Sequence, residues 1–186
     1  MRKVCVLAIL SLIIACNSGP KEDVSSVAPA KDSTENGSSE NVSYPYTASY
    51  SSKFEIGSAN HANLILSLWK DWDNNTFDNS RNSFADTVTM YFWDGTRLHA
   101  SRDSILAAAK QMRGNYSKVA SRVDAFIPLR SKDKNEDWVT VWGMETHTDK
   151  KGITDSINLQ ETWRLNKDGK ADLVYQFASM TKPKKK

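Results

Sequence analysis

One glutamate in the second half of the chain interrupts an apolar row. Glu161 lies in the segment Thr154–Leu165, where apolar residues such as Leu159 and Trp163 alternate with polar ones. Successive side chains of a strand point to opposite faces, so Glu161 falls on the apolar face. A carboxylate there must be paired, hydrogen-bonded or protonated. A raised pKa in a pocket is typical of functional sites, which makes Glu161 the first candidate for acid–base chemistry.

Two further titratable residues share one face of the preceding predicted strand, Trp138–Thr148. Glu145 and His147 are two residues apart and therefore point the same way. If this face is turned inward, they join Glu161 in a polar cluster that could act as a general acid and base.

Each of these residues also has an ordinary structural explanation. Glu161 could pair with Arg97 or Arg122, or reach solvent at a sheet edge. His147 could be solvated near the end of its strand, which is the common situation of a surface histidine.

Large aromatic side chains are the candidates for lining a ligand pocket, since such pockets are mostly apolar with a few polar groups. The same side chains at helical or strand spacing are also typical of plain core, so a mixture of both roles is expected. The predicted ligand-binding residues are Trp69, Trp72, Phe92, Glu161 and Trp163.

The histidines and cysteines favour no metal site and no cofactor. His61, His99 and His147 lack the spacing of metal ligands. Cys5 and Cys16, the only two cysteines, both lie in the first sixteen residues.

The first sixteen residues resemble a bacterial lipoprotein signal. Arg2 and Lys3 precede an uncharged run that is too short to span a bilayer. The run ends in Ile13-Ile14-Ala15-Cys16, which is similar to a lipobox. The resemblance implies that residues 1–15 are removed and that Cys16 is acylated. The partner is then a lipid bilayer, and the expected location is the cell envelope, at the periplasmic or surface face of the outer membrane.

The composition divides the rest of the chain. Residues 16–53 are poor in large apolar side chains and predict a disordered tether. In this tether, Lys21-Glu22-Asp23 resembles the acidic export signal of some Bacteroidetes lipoproteins. Residues 54–181 are expected to form one domain, and residues 182–186 a basic tail. Without the signal and tail, 19 of the 25 basic residues remain against 22 acidic ones, which argues against a nucleic-acid partner.

The patterns predict helices first and strands afterwards. Apolar residues at helical spacing indicate a helix over Ala59–Asn75, and a weaker pattern indicates a short helix over Phe77–Phe84. Ser101 as the N-cap and Gly114 as the end mark a second clearly predicted helix. The predicted strands are Thr87–Trp93, Thr96–Ala100, Val119–Arg130, Trp138–Thr148, Thr154–Leu165 and Ala171–Ser179. Short turns between long strands favour an antiparallel sheet with helices on one face, an α+β fold.

These elements resemble the nuclear transport factor 2-like superfamily, which includes SnoaL-like proteins and ketosteroid isomerase. The motifs that carry the resemblance are Phe84-Ala85-Asp86, Gly95, Ser101-Arg102 and Glu161–Lys170. The resemblance implies a cone-shaped curved antiparallel sheet wrapped around the long first helix, with a pocket at its open end. Pairing of two copies through the convex sheet face is also typical of this superfamily, so a homodimer is expected.

The resemblance argues against isomerase chemistry. Aligned with the isomerases, Leu68 takes the place of the catalytic tyrosine and Phe92 that of the base, whereas Glu161 takes that of a protonated carboxylic acid. We therefore expect a lipid-anchored binding domain for a small, largely apolar molecule, or an interaction module. The alternative is a SnoaL-like acid–base enzyme, an isomerase, lyase or hydrolase, that uses Glu161 with His147 or Glu145.

Overall fold

The computed structural model describes residues 43–180. The predicted signal, the acylated Cys16, most of the tether and the basic tail at 182–186 lie outside these residues. Pro45 begins the compact unit that contains the helices and strands. Its elements are β1 (Phe54–Ile56), α1 (Ala59–Asn74), β2 (Phe84–Tyr91), β3 (Arg97–Ser101), α2 (Arg102–Arg113), β4 (Tyr116–Ser131), β5 (Glu136–Asp149), β6 (Thr154–Leu165) and β7 (Ala171–Met180). Neither helix is long and apolar enough to cross a membrane.

The seven strands form one curved, unclosed sheet in the order β1-β4-β5-β6-β7-β2-β3. The predicted α+β class is confirmed. The pairing is antiparallel except between β2 and β7, which run parallel. The predicted antiparallel pairing does not extend to this pair, because β2 and β7 are not consecutive in the chain. The β2–β3 hairpin, α2 and the β4–β6 meander separate them, so no tight turn dictates their direction.

Helix α1 is capped at both ends by the residues that flank it. The Ser58 hydroxyl accepts a hydrogen bond from the Asn60 backbone N–H, and Asn75 ends the helix in the left-handed conformation at φ 59°. Its buried residues, among them Ile65 and Trp69, recur every three to four positions. They pack against one face of the sheet, which we call the inner face, in a core that includes the β5–β7 residues Val139, Val141, Trp163, Leu165 and Val174.

The segment after α1 differs from the prediction. A helix was expected over Phe77–Phe84, but only the short 3₁₀ turn Arg81–Ser83 forms, and β2 already begins at Phe84. The hydroxyls of Thr76 and Ser80 both donate to the Asp71 carboxylate. These side-chain bonds hold a turn in place of a helix, as such short polar residues often do.

Three hairpins turn through a glycine with positive φ. Gly95 has φ 85° between β2 and β3, Gly152 has φ 84° between β5 and β6, and Gly169 has φ 70° between β6 and β7. In the β2–β3 turn, the neighbouring Asp94 is not among the residues with positive φ. The Phe92 N–H donates to the Thr96 carbonyl, so this loop is longer than a two-residue turn with positive φ at both positions.

The residues just before β1 contact the sheet, although the predicted tether extends to residue 53. The Lys132 backbone N–H donates to the Lys53 carbonyl at 2.8 Å. The ring of Tyr50 meets Trp138 edge-on, with 6.1 Å between centroids. The Tyr50 hydroxyl also donates to Glu136. The compact unit therefore begins before the predicted boundary at residue 54.

Candidate functional site

Glu161 lies on the inner face of the sheet, where it accepts three hydrogen bonds. Its Oε2 accepts from the indole N–H of Trp69 at 2.6 Å and from that of Trp163 at 3.0 Å. Its Oε1 accepts from the Gln176 amide at 2.9 Å. Only 8 % of Glu161 is exposed. Both carboxylate oxygens are thus occupied by protein donors in the core.

A glycine makes this arrangement possible. Gly143 lies on β5 opposite Leu159 of β6, and the Trp69 ring covers it. A Cβ atom at this position would lie 2.9 Å from Cζ3 of Trp69 and 2.5 Å from the Arg122 carbonyl oxygen. The lack of a side chain therefore allows the indole to lie flat against the sheet and to reach Glu161.

No cation compensates the charge of Glu161 within the described residues. Arg122 pairs with Asp124, and Arg97 lies over the ring of Tyr91. Burial raises the pKa of Glu161, and the three N–H donors act in the opposite direction because they stabilise the carboxylate. The alternative in which Glu161 pairs with Arg97 or Arg122 is therefore not found in the structure.

A second tryptophan–glutamate pair lies towards the end of α1. The Trp72 indole N–H donates to Oε2 of Glu145 at 2.7 Å. The other oxygen of Glu145, Oε1, lies 3.4 Å from Nδ1 of His147. The side chains of Glu145 and His147 are 12 % and 19 % exposed, so this pair reaches solvent whereas Glu161 is enclosed.

Aromatic rings surround this pair. The Tyr116 ring packs on the His147 ring, with 4.5 Å between centroids, and the Trp72 ring meets Phe77 edge-on at 5.8 Å. Burial raises the pKa of Glu145, and the Glu145 charge adds to burial in raising the pKa of Tyr116. We call the group Trp72, Tyr116, Glu145 and His147 the Glu145 site.

A buried arginine fixes the elements that carry the Glu145 site. Arg113, at the end of α2, donates to the carbonyl oxygens of Trp72 and Asp73 and to that of Tyr116, at 2.9–3.0 Å. A cation at this position also complements the negative end of the α1 dipole. The Asp73 carboxylate in turn accepts from the backbone N–H and the hydroxyl of Ser121 on β4. Helix α1 and the start of β4 are thus held together.

The predicted acid–base residues share the inner face but do not form one cluster. Glu161 is paired in register with Val141, four residues before Glu145 on β5. Four residues of strand separate two positions by about 13 Å. Glu161 and the Glu145 site therefore lie at two different levels along the strands. Trp69 on α1 contacts the first glutamate, and Trp72, three residues later on α1, contacts the second.

The predicted pocket residues divide between core and site. Trp69 and Trp163 are buried in the core around Glu161, and Trp72 contributes to the Glu145 site. Phe92 was predicted within a strand, but β2 ends at Tyr91 and Phe92 lies in the following turn, half-buried.

Several residues of the site escaped the sequence analysis. Arg113 and Tyr116 lie at the end of one element and the start of the next, where no periodicity marks them. Gln176 lies opposite Glu161 in the inner row of β7, and a polar residue in that row was the sequence signal that could have identified it. Within residues 43–180, no group of three His, Cys, Asp or Glu side chains is arranged to hold a metal ion.

The opposite face of the sheet, which we call the outer face, carries a groove of about 440 Å³. Aromatic and aliphatic side chains make up most of its walls, together with Arg164, which is paired with Asp172. The lining residues are Tyr50, Phe54, Leu129, Trp138, Thr162, Arg164, Leu173 and Tyr175. The expectation that β5 is apolar on both faces agrees with Trp138 in this groove and Val139 in the core.

No family model matches the sequence, and no curated protein matches it either. Solved structures do match the fold. A nuclear transport factor 2-like protein of unknown function from Exiguobacterium sp. is 15 % identical, with a TM-score of 0.53 over 63 % of this chain and 99 % of its own. A protein from Shewanella denitrificans named as a SnoaL-like polyketide cyclase is 11 % identical, with a TM-score of 0.56 over 66 % and 92 %.

A third structure comes from Catenulispora acidiphila, a protein with a ketosteroid isomerase-like fold in complex with trimethylamine. It is 12 % identical, with a TM-score of 0.50 over 61 % of this chain and 83 % of its own. At these identities the likeness concerns the fold alone. The described chain has the nuclear transport factor 2-like fold, which it shares with SnoaL-like and ketosteroid isomerase-like proteins.

Proposed function

We propose that the protein is a lipid-anchored binding domain of the cell envelope that holds a small, largely apolar molecule at the Glu145 site. Acylated Cys16 ties the chain to the bilayer, and residues 17–44 lead to the compact unit. The neighbours include proteins named for catalysis and proteins of unknown function, so the fold is compatible with both binding and catalysis.

The observation that carries the proposal is the contrast between the two glutamates. Glu161 has protein donors on both oxygens and is enclosed by Trp69 and Trp163. Its carboxylate is therefore bonded on both oxygens and closed off by protein, which leaves little room for a substrate. The Glu145 site, in contrast, combines the partly exposed side chains of Glu145 and His147 with the rings of Trp72 and Tyr116. A few polar groups among aromatic walls are typical of small-molecule sites.

The fold is known to occur in a protein that holds a small molecule. The Catenulispora acidiphila neighbour is in complex with trimethylamine, and this is compatible with a ligand-binding role for the fold. It supports the class of function and says nothing about the residues of this chain.

The alternative is an acid–base enzyme of the SnoaL-like kind, and one observation favours it. Nδ1 of His147 faces Oε1 of Glu145 at 3.4 Å, an arrangement in which a carboxylate orients an imidazole. Because Glu161 is enclosed and bonded on both oxygens, the enzyme would have to use His147 and Glu145 alone. A catalytic role predicts turnover of the retained molecule that His147→Gln abolishes, whereas a binding role predicts recovery of the molecule unchanged.

A second copy of the chain is the proposed partner for the outer face. Trp142 and Phe177 on this face are 37 % and 58 % exposed, and Arg164 is already neutralised by Asp172. A largely apolar face whose arginine is paired can be self-complementary, as an interface between two identical subunits requires.

Native mass spectrometry of the full-length lipoprotein, extracted in mild detergent from its own host, tests the binding function. We expect a retained small molecule that is lost on Trp72→Ala and kept in Trp142→Ala, which alters an aromatic residue on the opposite face. The same preparation tests the anchor, since Cys16→Ser should lack the lipid mass. Wild-type protein without any retained mass, even when purified from its own host, would contradict the binding function.

A further inference from the structure

We infer that the molecule held at the Glu145 site is an organic ammonium, a protonated amine with apolar substituents. The inference rests on the proposed binding function and narrows it to one chemical class. Three features of the site support it: the charge around Glu145, the unsatisfied polar atoms, and the aromatic walls.

The charge of Glu145 is not balanced by a lysine or arginine in the described residues. Its one ionisable partner is His147. The nearby Arg113 directs its guanidinium to three backbone carbonyls, and within the described residues the Asp73 carboxylate accepts from Ser121. Two carboxylates, those of Glu145 and Asp73, thus lie near one guanidinium at this end of α1. Such a site attracts a cation and repels a carboxylate or phosphate.

The polar atoms of the pair still have capacity for a ligand. Oε1 of Glu145 and Nδ1 of His147 are 3.4 Å apart, but Nδ1 is buried and has no hydrogen bond within the described residues. Trp72 occupies only the other oxygen of Glu145. The site therefore offers a free carboxylate acceptor beside an imidazole. A donor with positive charge, such as an ammonium N–H, matches it best.

The walls suit the apolar part of the same molecule. The Tyr116 and His147 rings are in contact beside Oε1 of Glu145. Trp72, which donates to Oε2, meets the Phe77 ring edge-on just after the end of α1. Aromatic rings attract a cation through their negative faces and bury its alkyl groups at the same time. A carboxylate beside tryptophan and tyrosine is thus a site for an amine rather than for a hydrated metal ion.

Three molecules of nearly equal size and different charge test the inference. Benzylamine, which is protonated at pH 7, benzyl alcohol and benzoate are titrated into the full-length protein by calorimetry at low and physiological salt. We expect benzylamine to bind at least about tenfold more tightly than benzyl alcohol, since tenfold corresponds to about 1.4 kcal/mol. Benzoate should bind least, and added salt should weaken the benzylamine affinity most.

A matched pair of variants locates the effect. Glu145→Gln should abolish the preference for benzylamine over benzyl alcohol, whereas Glu55→Gln, on the distant edge strand β1, should keep it. The selectivity of the wild-type protein is decisive even if Glu145→Gln does not fold.

Equal affinities for the amine and the alcohol would overturn the inference. A neutral or anionic molecule found in the native mass spectrum would overturn it as well and would leave the binding function intact. If no probe binds and no molecule is retained, the binding function itself fails together with the inference.

Discussion

The hydrogen bonds of Glu161 allow its role to be tested by two substitutions with opposite expected results. In Glu161→Ala, the indole N–H groups of Trp69 and Trp163 lose their acceptor. In Glu161→Gln, the amide oxygen can accept from both indoles. Its NH₂ group can then donate to Gln176, once the Gln176 amide rotates to present its oxygen. The first variant leaves buried donors unsatisfied, and the second does not.

The expected change in the free energy of unfolding follows from the number of buried donors that lose their acceptor. A buried donor without a partner costs about 1–3 kcal/mol, so two indoles predict a loss of about 2–6 kcal/mol in the free energy of unfolding for Glu161→Ala. For Glu161→Gln we expect a free energy of unfolding within about 1 kcal/mol of wild type at pH 7, because the burial of a charge no longer has to be compensated.

The pH dependence provides a second signature with a definite sign. Burial raises the folded-state pKa of Glu161 above the ordinary value of 4.5. The folded state therefore binds the proton more tightly than the unfolded state does. The resulting stabilisation is fully present below the unfolded pKa and is lost as the pH rises through the folded pKa. As the pH falls from 7 towards 4.5, wild type should gain stability relative to Glu161→Gln.

Urea denaturation followed by tryptophan fluorescence, at several pH values, measures both quantities. Gln160→Ala, a neighbour that points to the outer face, serves as the control. A Glu161→Gln variant as unstable as Glu161→Ala would refute the hydrogen-bonding argument. Parallel pH profiles of wild type and Glu161→Gln would refute the raised pKa.

Three further predictions concern packing and assembly. Gly143→Ala should lower the free energy of unfolding by about 1–3 kcal/mol or more in urea denaturation, because its Cβ would clash with the Trp69 ring and a backbone carbonyl; wild-type stability would contradict the role of this glycine. Deletion of residues 45–52 should lower the melting temperature, since Tyr50 packs on Trp138, whereas deletion of residues 20–40 should not; equal melting temperatures for both deletions would show that residues 45–52 do not stabilise the sheet. Trp142→Glu should shift a dimer towards monomer in analytical ultracentrifugation, and a wild-type monomer at high micromolar concentration would exclude that interface.

Local physical chemistry made most secondary structure predictable from the sequence. The capping serines, Ser58 and Ser101, and the helical spacing of Ile65 and Trp69 define helices through contacts within a few residues. Strict alternation in Thr154–Leu165 predicted both bounds of β6 and the inward side of Glu161. The weak pattern over Phe77–Phe84 failed because the Asp71 carboxylate and backbone bonds three residues apart, such as Ser80 N–H to the Phe77 carbonyl, form turns there in place of an α-helix.

Only the tertiary structure decided what the inward residues contact. The sequence indicates that Glu161, Glu145 and His147 share a face. It does not show that α1 supplies one indole donor to each glutamate, Trp69 to Glu161 and Trp72 to Glu145. Those partners lie 92 and 73 residues away in the chain, and their pairing depends on strand register and helix docking. The parallel pairing of β2 with β7 was hidden for the same reason, because a contact between distant segments leaves no local pattern in either of them.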